Sequence, residues 1–257
     1  MDQITLVWGD TDLVATGGGT AGSRSLQQAG AAVDKAAGEL VELAKSLAAT
    51  QLEADVADIV LDSERGVFHV AGTPAMSTSW ADLAAASAAR GEPLLMESRF
   101  DAASPTFPFG AHVAVVEVDT ETGHVRLVRH VACDDAGRIL NPLLVEGQIH
   151  GGIAQGAAQA MLEEVRFDDD GNPITSNLAD YAMISAAELP SFEVVEMETP
   201  TPVNPLGAKG IGESGTIGST PAVQSAVIDA LSHLGVRHID MPATPERVWR
   251  AIAAAGS

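Results

Sequence analysis

The chain has 257 residues, 46% of them hydrophobic but only 4% aromatic, with 35 acidic against 14 basic side chains and a formal net charge of −21. That apolar fraction supplies a sizeable core and excludes wholesale disorder, while the charge disfavours nucleic acid and anionic membrane surfaces as partners. No apolar run reaches the ~18–20 residues of a membrane helix, the first residues lack the pattern of a secretory leader, and the single Cys133 excludes an intrachain disulfide framework and a cysteine-built metal centre. A cytoplasmic location is the expectation.

Residues 4–8 (ITLVW) read as a strand, followed by a Gly-rich loop over 17–23 that leads into a long helix over 24–48. Residues 57–61 and 66–70 alternate around a turn and predict a hairpin. Ser79 is placed to cap a short Ala-rich helix ending near Ala89. A second hairpin is predicted from strand 107–118, a turn at 119–123, and a return over 124–131. Residues 143–163 have helical periodicity but carry Gly147, Gly151, Gly152 and Gly156. Each costs a helix about 1 kcal/mol relative to Ala, so the pattern points either to close approach of another backbone or a ligand, or to a packed Gly face. Asp168–Asn172 is a turn, residues 192–198 form a strand, Thr220 and Pro221 open a helix to about Leu234, and Thr244-Pro245 opens a last one. Strands and helices do not alternate as βαβ units, so the class is α+β with antiparallel or mixed sheets and packed helices.

Gly210-Ile211-Gly212-Glu213-Ser214-Gly215 matches the letters of a dinucleotide fingerprint, but two prolines precede it where a buried strand would be required, so a nicotinamide site is rejected. The loop still exposes backbone N–H groups before a helix start, which suits a phosphate or another anion, and Lys209 could add positive charge. Glu213, a carboxylate among small residues, reads either as a general base held on a ligand loop or as a surface Glu favoured near a helix start. Gln148 offers a donor and an acceptor for a heterocycle edge, whereas His150 reads as structural. The hydroxyls and Arg24 of the 20–25 stretch have phosphate-binding chemistry. Cys133, beside two Asp, reads as structural.

Five stretches taken together carry a specific resemblance: GDTDLVATGGGTAGSRS (9–25), FPFGAHVAVVEVDTETG (107–123), GRILNPLLVEGQIHGGIAQG (137–156), GAKGIGESGTIGSTPAVQSAVIDAL (207–231) and GVRHIDMPATPERVW (235–249). In order and spacing the chain resembles the molybdopterin-binding large subunit of the xanthine dehydrogenase, aldehyde oxidase and aerobic carbon monoxide dehydrogenase family. The resemblance implies the molybdopterin-binding domain fold of aldehyde oxidase and xanthine dehydrogenase. It makes residues 1–257 the C-terminal region of a large subunit, divisible into subdomains of about 1–100 and 101–257. The missing N-terminal half would be its partner, packed on an exposed apolar face, and the isolated chain would be inactive.

The resemblance implies a molybdenum hydroxylase that uses water-derived oxygen. Glu213 would be its catalytic base. Gln148, Lys209, Gly210, Ile211 and Gly212 would contact the pterin, Ala21, Gly22, Ser23, Arg24 and Ser25 would hold its phosphate or nucleotide end, and Asp134 would reach the dinucleotide. The molybdenum would arrive held by molybdopterin, in its cytosine dinucleotide form, with no metal ligand from the chain. Electrons would pass to iron–sulfur clusters and FAD on partner subunits. Carbon monoxide dehydrogenases of the well-defined type tend to follow the base with Ser-Pro-His, whereas here Ser214-Gly215-Thr216 follows, which leans toward an aldehyde or N-heterocycle substrate. Carbon monoxide oxidation, or a non-catalytic cofactor-binding or assembly module, is the alternative; an unrelated anion-binding protein is the third reading.

Overall fold

The computed structural model describes residues 4–14 and 17–256. They form two compact units. The smaller comprises Gln27–Ala103 with Asn204–Leu206; the larger takes the described residues up to Leu26, Ser104–Val203 and those from Gly207 onward. The N-terminal loop thus belongs with the C-terminal elements and not with the unit that directly follows it in sequence.

One π-type turn (Leu26–Gly30), in the smaller unit from its second residue on, leads into α1 (Ala31–Leu52), which runs four residues past the predicted end. A three-stranded antiparallel sheet follows, β1 (Ile59–Asp62), β2 (Val67–Val70) and β3 (Thr73–Ser79), and then α2 (Trp80–Ala89). The edge strand β3 is absent from the sequence reading, because Pro74 removes a ladder donor and masks the strand signal. Ser79 caps α2 in a reciprocal capping box with Asp82. The core joins Ala44 and Ala48 of α1 to Ile59, Phe68 and Leu83, with the Trp80 ring edge-on to Phe68 at 4.8 Å between centroids.

In the larger unit, β4 (Gly110–Val118) and β5 (Val125–Asp135) form the predicted long hairpin, and β6 (Phe192–Met197) adds parallel to β5. The sheet is mixed and the class α+β, as the sequence predicts. The link from β5 through α3 (Pro142–Met161) to β6 is nevertheless one βαβ crossover, which the sequence reading did not find. Pro108 cannot donate to a ladder, so β4 begins at Gly110 and not at 107. The pairing with β6 carries β5 on to Asp135.

Helix α4 (Ser214–Leu231) starts well before the predicted Pro221, which lies inside it. Its first turn packs so closely on α3 that this contact outweighs the hydrogen bond Pro221 cannot make. A Cβ on Gly152 would stand 2.9 Å from the Gly215 Cα, and one on Gly156 would overlap the Ser219 hydroxyl. Gly147 and Gly151 face open space. α5 (Pro245–Ala255) closes the core around Val227, Leu231, Ile239 and Val248.

On the sheet face away from α4, Val113, Val115 and Val195 are exposed, bordered by the ion pairs Arg129–Glu193 and Arg126–Glu117. Residues 4–8 form no strand, and Ile4, Leu6 and Trp8 are exposed, because no strand among the described residues pairs with that segment. Among the described residues no helix is long and apolar enough to cross a membrane.

Candidate functional site

The glycine-rich loop before α4 is held by a buried carboxylate. Asp135, fully buried at the end of β5, accepts backbone N–H bonds from Gly137 (2.8 Å) and Thr199 (2.9 Å) through Oδ1. Its other oxygen takes the Lys209 ammonium and the Thr199 hydroxyl. Burial pushes the Asp135 carboxyl up, but the hydrogen bonds from Lys209, Thr199 and Gly137 outweigh it and hold the group below its ordinary range. The Lys209 backbone N–H donates to Ala136 at 2.9 Å. Gly137, at φ +67°, must be Gly because a Cβ would strike the Gly207 carbonyl. The Lys209 ammonium also bonds the Thr199 hydroxyl at 2.9 Å and lies 5.0 Å from the Phe109 ring centroid. It is therefore committed to the protein interior, and the expected free positive charge for an anion is not there.

Beside this loop lies a cavity of about 500 Å³, a size suited to a small-molecule or cofactor site. Three segments distant in sequence build it. The N-terminal loop contributes Thr20, Ser23, Ser25 and Leu26, and the loop before α4 contributes Ala208, Lys209, Ile211 and Gly212. The β5–α3 connection contributes Ala136, Arg138 and Leu140, and the first turns of α3 contribute Asn141, Leu144, Val145 and Gln148. Asn141 caps α3 by accepting from the Leu144 N–H at 3.2 Å, so the positive end of that helix dipole lies at the cavity wall. The Arg138 guanidinium makes no ion pair among the described residues.

At Gly212 the three segments converge. A Cβ there would lie 2.9 Å from Ser23 Oγ and 3.0 Å from Gln148 Oε1. The next residue, Glu213, is exposed and precedes α4 without capping it through its side chain. Its Oε2 accepts a hydrogen bond from Ser23 Oγ at 2.9 Å.

The residues singled out from sequence thus separate. Gln148, Lys209, Ile211, Gly212, Ser23 and Ser25 line the cavity, and Glu213 adjoins it through Gly212 and Ser23. Gly210 is buried behind the loop. Ala21 and Gly22 are exposed in the N-terminal loop and do not line the cavity. Arg24 turns away, donating to the Gly18 carbonyl at 3.2 Å. Asp134 does not line it either: it is buried and accepts from His112 Nε2 at 3.1 Å, while His112 Nδ1 faces His130 Nε2 at 3.1 Å. Burial and the neighbouring His112 lower the His130 pKa to about 4 despite Asp134, so His130 is neutral near pH 7. His150 stacks edge-on to Phe192, a structural contact. The sequence reading missed Asp135, Thr199, Arg138 and Asn141; a second Asp beside Asp134 and a helix cap at Asn141-Pro142 were the only signals available.

Among the described residues no group of three or more His, Cys, Asp or Glu side chains could hold a metal ion. The cavity instead suits a flat hydrogen-bonding molecule with an anionic end. It offers hydroxyls and two amides, apolar walls at Leu140, Leu144 and Ile211, and Arg138 beside a helix N-terminus.

The family described as molybdopterin cofactor-binding domain matches residues 1–190. The chain is 41% identical over 256 residues to the carbon monoxide dehydrogenase large chain of Hydrogenophaga pseudoflava, covering 98% of this chain and 32% of that one. A Cu,Mo-CO dehydrogenase structure in the carbon monoxide reduced state superposes with a TM-score of 0.80 at 37% identity, covering 93% of this chain and 30% of that chain. Quinoline 2-oxidoreductase from Pseudomonas putida 86 superposes with a TM-score of 0.79 at 38% identity, covering 91% and 30%. The chain spans about a third of the length of that carbon monoxide dehydrogenase large chain.

Proposed function

The chain belongs to the molybdopterin cofactor-binding domain family, and from that premise we propose that it is the cofactor-holding C-terminal part, over residues 1–257, of a cytoplasmic molybdenum hydroxylase large subunit. Its substrate is an aldehyde or an N-heterocycle, and the transferred oxygen comes from water. The observation that carries this reading is Glu213, a carboxylate fixed by Ser23 where three distant segments meet beside the cavity. When bound, molybdopterin supplies a molybdenum centre able to accept two electrons from the substrate carbon.

The chain's own residues bind, orient and move a proton. Gln148 presents its amide to the pterin ring edge, and the backbone of Lys209 to Gly212 lies along it. Arg138, the Asn141-capped start of α3 and the one proton left by the mutually bonded Thr20 and Ser25 hydroxyls favour a phosphate-bearing tail, which fits the cytosine dinucleotide form. Glu213 acts as general base, taking a proton through the carboxylate oxygen that Ser23 does not hold. The exposed valine face of the β4–β5–β6 sheet packs against the remainder of the large subunit, and electrons leave to iron–sulfur and flavin subunits.

Carbon monoxide oxidation is the second reading, favoured by the 41% identity to a carbon monoxide dehydrogenase large chain. Against it stands the run Ser214-Gly215-Thr216 after Glu213, where the resemblance gives carbon monoxide dehydrogenases Ser-Pro-His.

The test is a complex of this chain with the rest of the large subunit and the electron-transfer subunits, assayed for molybdenum and for oxidation of benzaldehyde, quinoline and carbon monoxide with a redox dye. Glu213→Gln should abolish turnover while molybdenum stays bound. Turnover that survives the substitution sinks the assignment of the base.

A further inference from the structure

We infer that Ser23 is a positioning residue for Glu213, holding Oε2 of the carboxylate so that Oε1 is the oxygen that accepts the proton; this rests on the hydroxylase reading above. Ser23 Oγ donates to Glu213 Oε2 at 2.9 Å across 190 residues of chain. Helix α4 does not fix that carboxylate, since Glu213 makes no side-chain cap bond.

The loop is bent to place the hydroxyl there. Ser23 has φ +53° and follows Gly22 at φ +59°, and a left-handed conformation is disfavoured for any residue with a Cβ. Such conformations persist where the surroundings over-determine them. Gly212 makes room: Ser23 Oγ and Cβ would lie 2.9 and 3.5 Å from a Cβ at that position.

A serine hydroxyl has one proton to donate. Given to Glu213, it is not available to a phosphate. Ser23 therefore serves Glu213, although the resemblance groups it with the nucleotide end of the cofactor.

The experiment compares Ser23→Ala and Ser23→Gly with wild type in the full complex. The assay is whichever of benzaldehyde, quinoline or carbon monoxide the wild-type complex turns over, alongside molybdenum content and a crystal structure of the Ala variant. Both variants remove the hydroxyl, but Gly also relieves the left-handed backbone. In each, kcat should fall about ten- to a hundredfold, as expected for a mispositioned reacting group. KM should stay within about twofold and molybdenum content should be unchanged. The Glu213 carboxylate in the Ala variant should leave its wild-type position.

Full turnover in the Gly variant would make the role one of backbone shape and overturn the inference. Loss of molybdenum in both variants would place Ser23 in the cofactor cradle and overturn it too. Unchanged kcat in both, with Glu213→Gln inactive in the same preparations, would overturn this inference alone. Turnover in Glu213→Gln would sink the reading beneath it as well.

Discussion

The Asp135 carboxylate at the end of β5 and the Lys209 ammonium in the loop before α4 are paired in the interior, and the same carboxylate orders the backbone of Gly137 and Thr199. Removing one partner leaves an uncompensated buried charge, a loss of about 3–5 kcal/mol. Lys209→Met should destabilise the protein by roughly that much in urea denaturation and lower molybdenum content in the assembled complex. A stability change below about 1 kcal/mol would show that solvent reaches Asp135.

The contact between α3 and α4 depends on Gly152 and Gly215. A Cβ on Gly152 would lie 2.9 Å from the Gly215 Cα and 3.0 Å from the Thr216 N, both backbone atoms that cannot rotate away. Overpacking a tight core costs about 1–3 kcal/mol or more. Gly152→Val should reach or exceed that range, whereas Gly151→Val, facing open space, should leave stability unchanged or raise it by a few tenths of a kcal/mol, since Val is the better helix former. Equal effects in thermal denaturation would contradict the packing.

Gly212→Ala should act on the site and spare the fold. The added methyl meets the ends of two side chains, Ser23 Oγ and Gln148 Oε1, which can rotate aside. Stability should change by less than about 1 kcal/mol, while molybdenum content or turnover of the complex falls at least tenfold. Unaltered turnover would show that the convergence at Gly212 is not functional.

His130 makes stability depend on pH. Its pKa falls from 6.5 to about 4 on folding, so between those values the unfolded chain binds more protons than the folded one. Stability should therefore rise with pH through that window and be lost on acidification through it, with a slope of up to about 1.4 kcal/mol per pH unit. Asp135, whose carboxyl is held low, adds its own loss only below its ordinary value of 3.8. His130→Gln should flatten the pH 4–6.5 region specifically; an unchanged slope would assign it to other groups.

In the smaller unit, Phe68 is fully buried against Trp80. Phe68→Ala should cost about 3–5 kcal/mol and shift the unfolding transition followed by tryptophan fluorescence. A shift worth less than about 1 kcal/mol would show that this core collapses around the cavity.

The secondary structure was legible wherever local chemistry and tertiary packing agree. Ser79 and Thr244 cap the helices their letters predict, and the long hairpin of β4 and β5 follows its alternation. Legibility failed where distant contacts decide. Pro221 looked like a helix start, but packing of Gly215 on Gly152 begins α4 seven residues earlier. Residues 4–8 have strand composition, yet a strand exists only with a neighbour to bond. Lys209 looked like a charge for a ligand, and its partner Asp135 was invisible because 74 residues separate them.

By itself the sequence determined the chemical vocabulary: an acidic composition, one cysteine, a glycine loop carrying a lone carboxylate at Glu213, and the family these letters resemble. Only the tertiary structure decided which letters act together. Gly212, Ser23 and Gln148 converge because three loops close on one another, Arg24 turns to Gly18, and Asp134 joins a buried pair of histidines. The physical reason is that a side chain's charge and hydrogen-bonding capacity are fixed by its identity. Its partner is set by approach in space, which no spacing along the chain records.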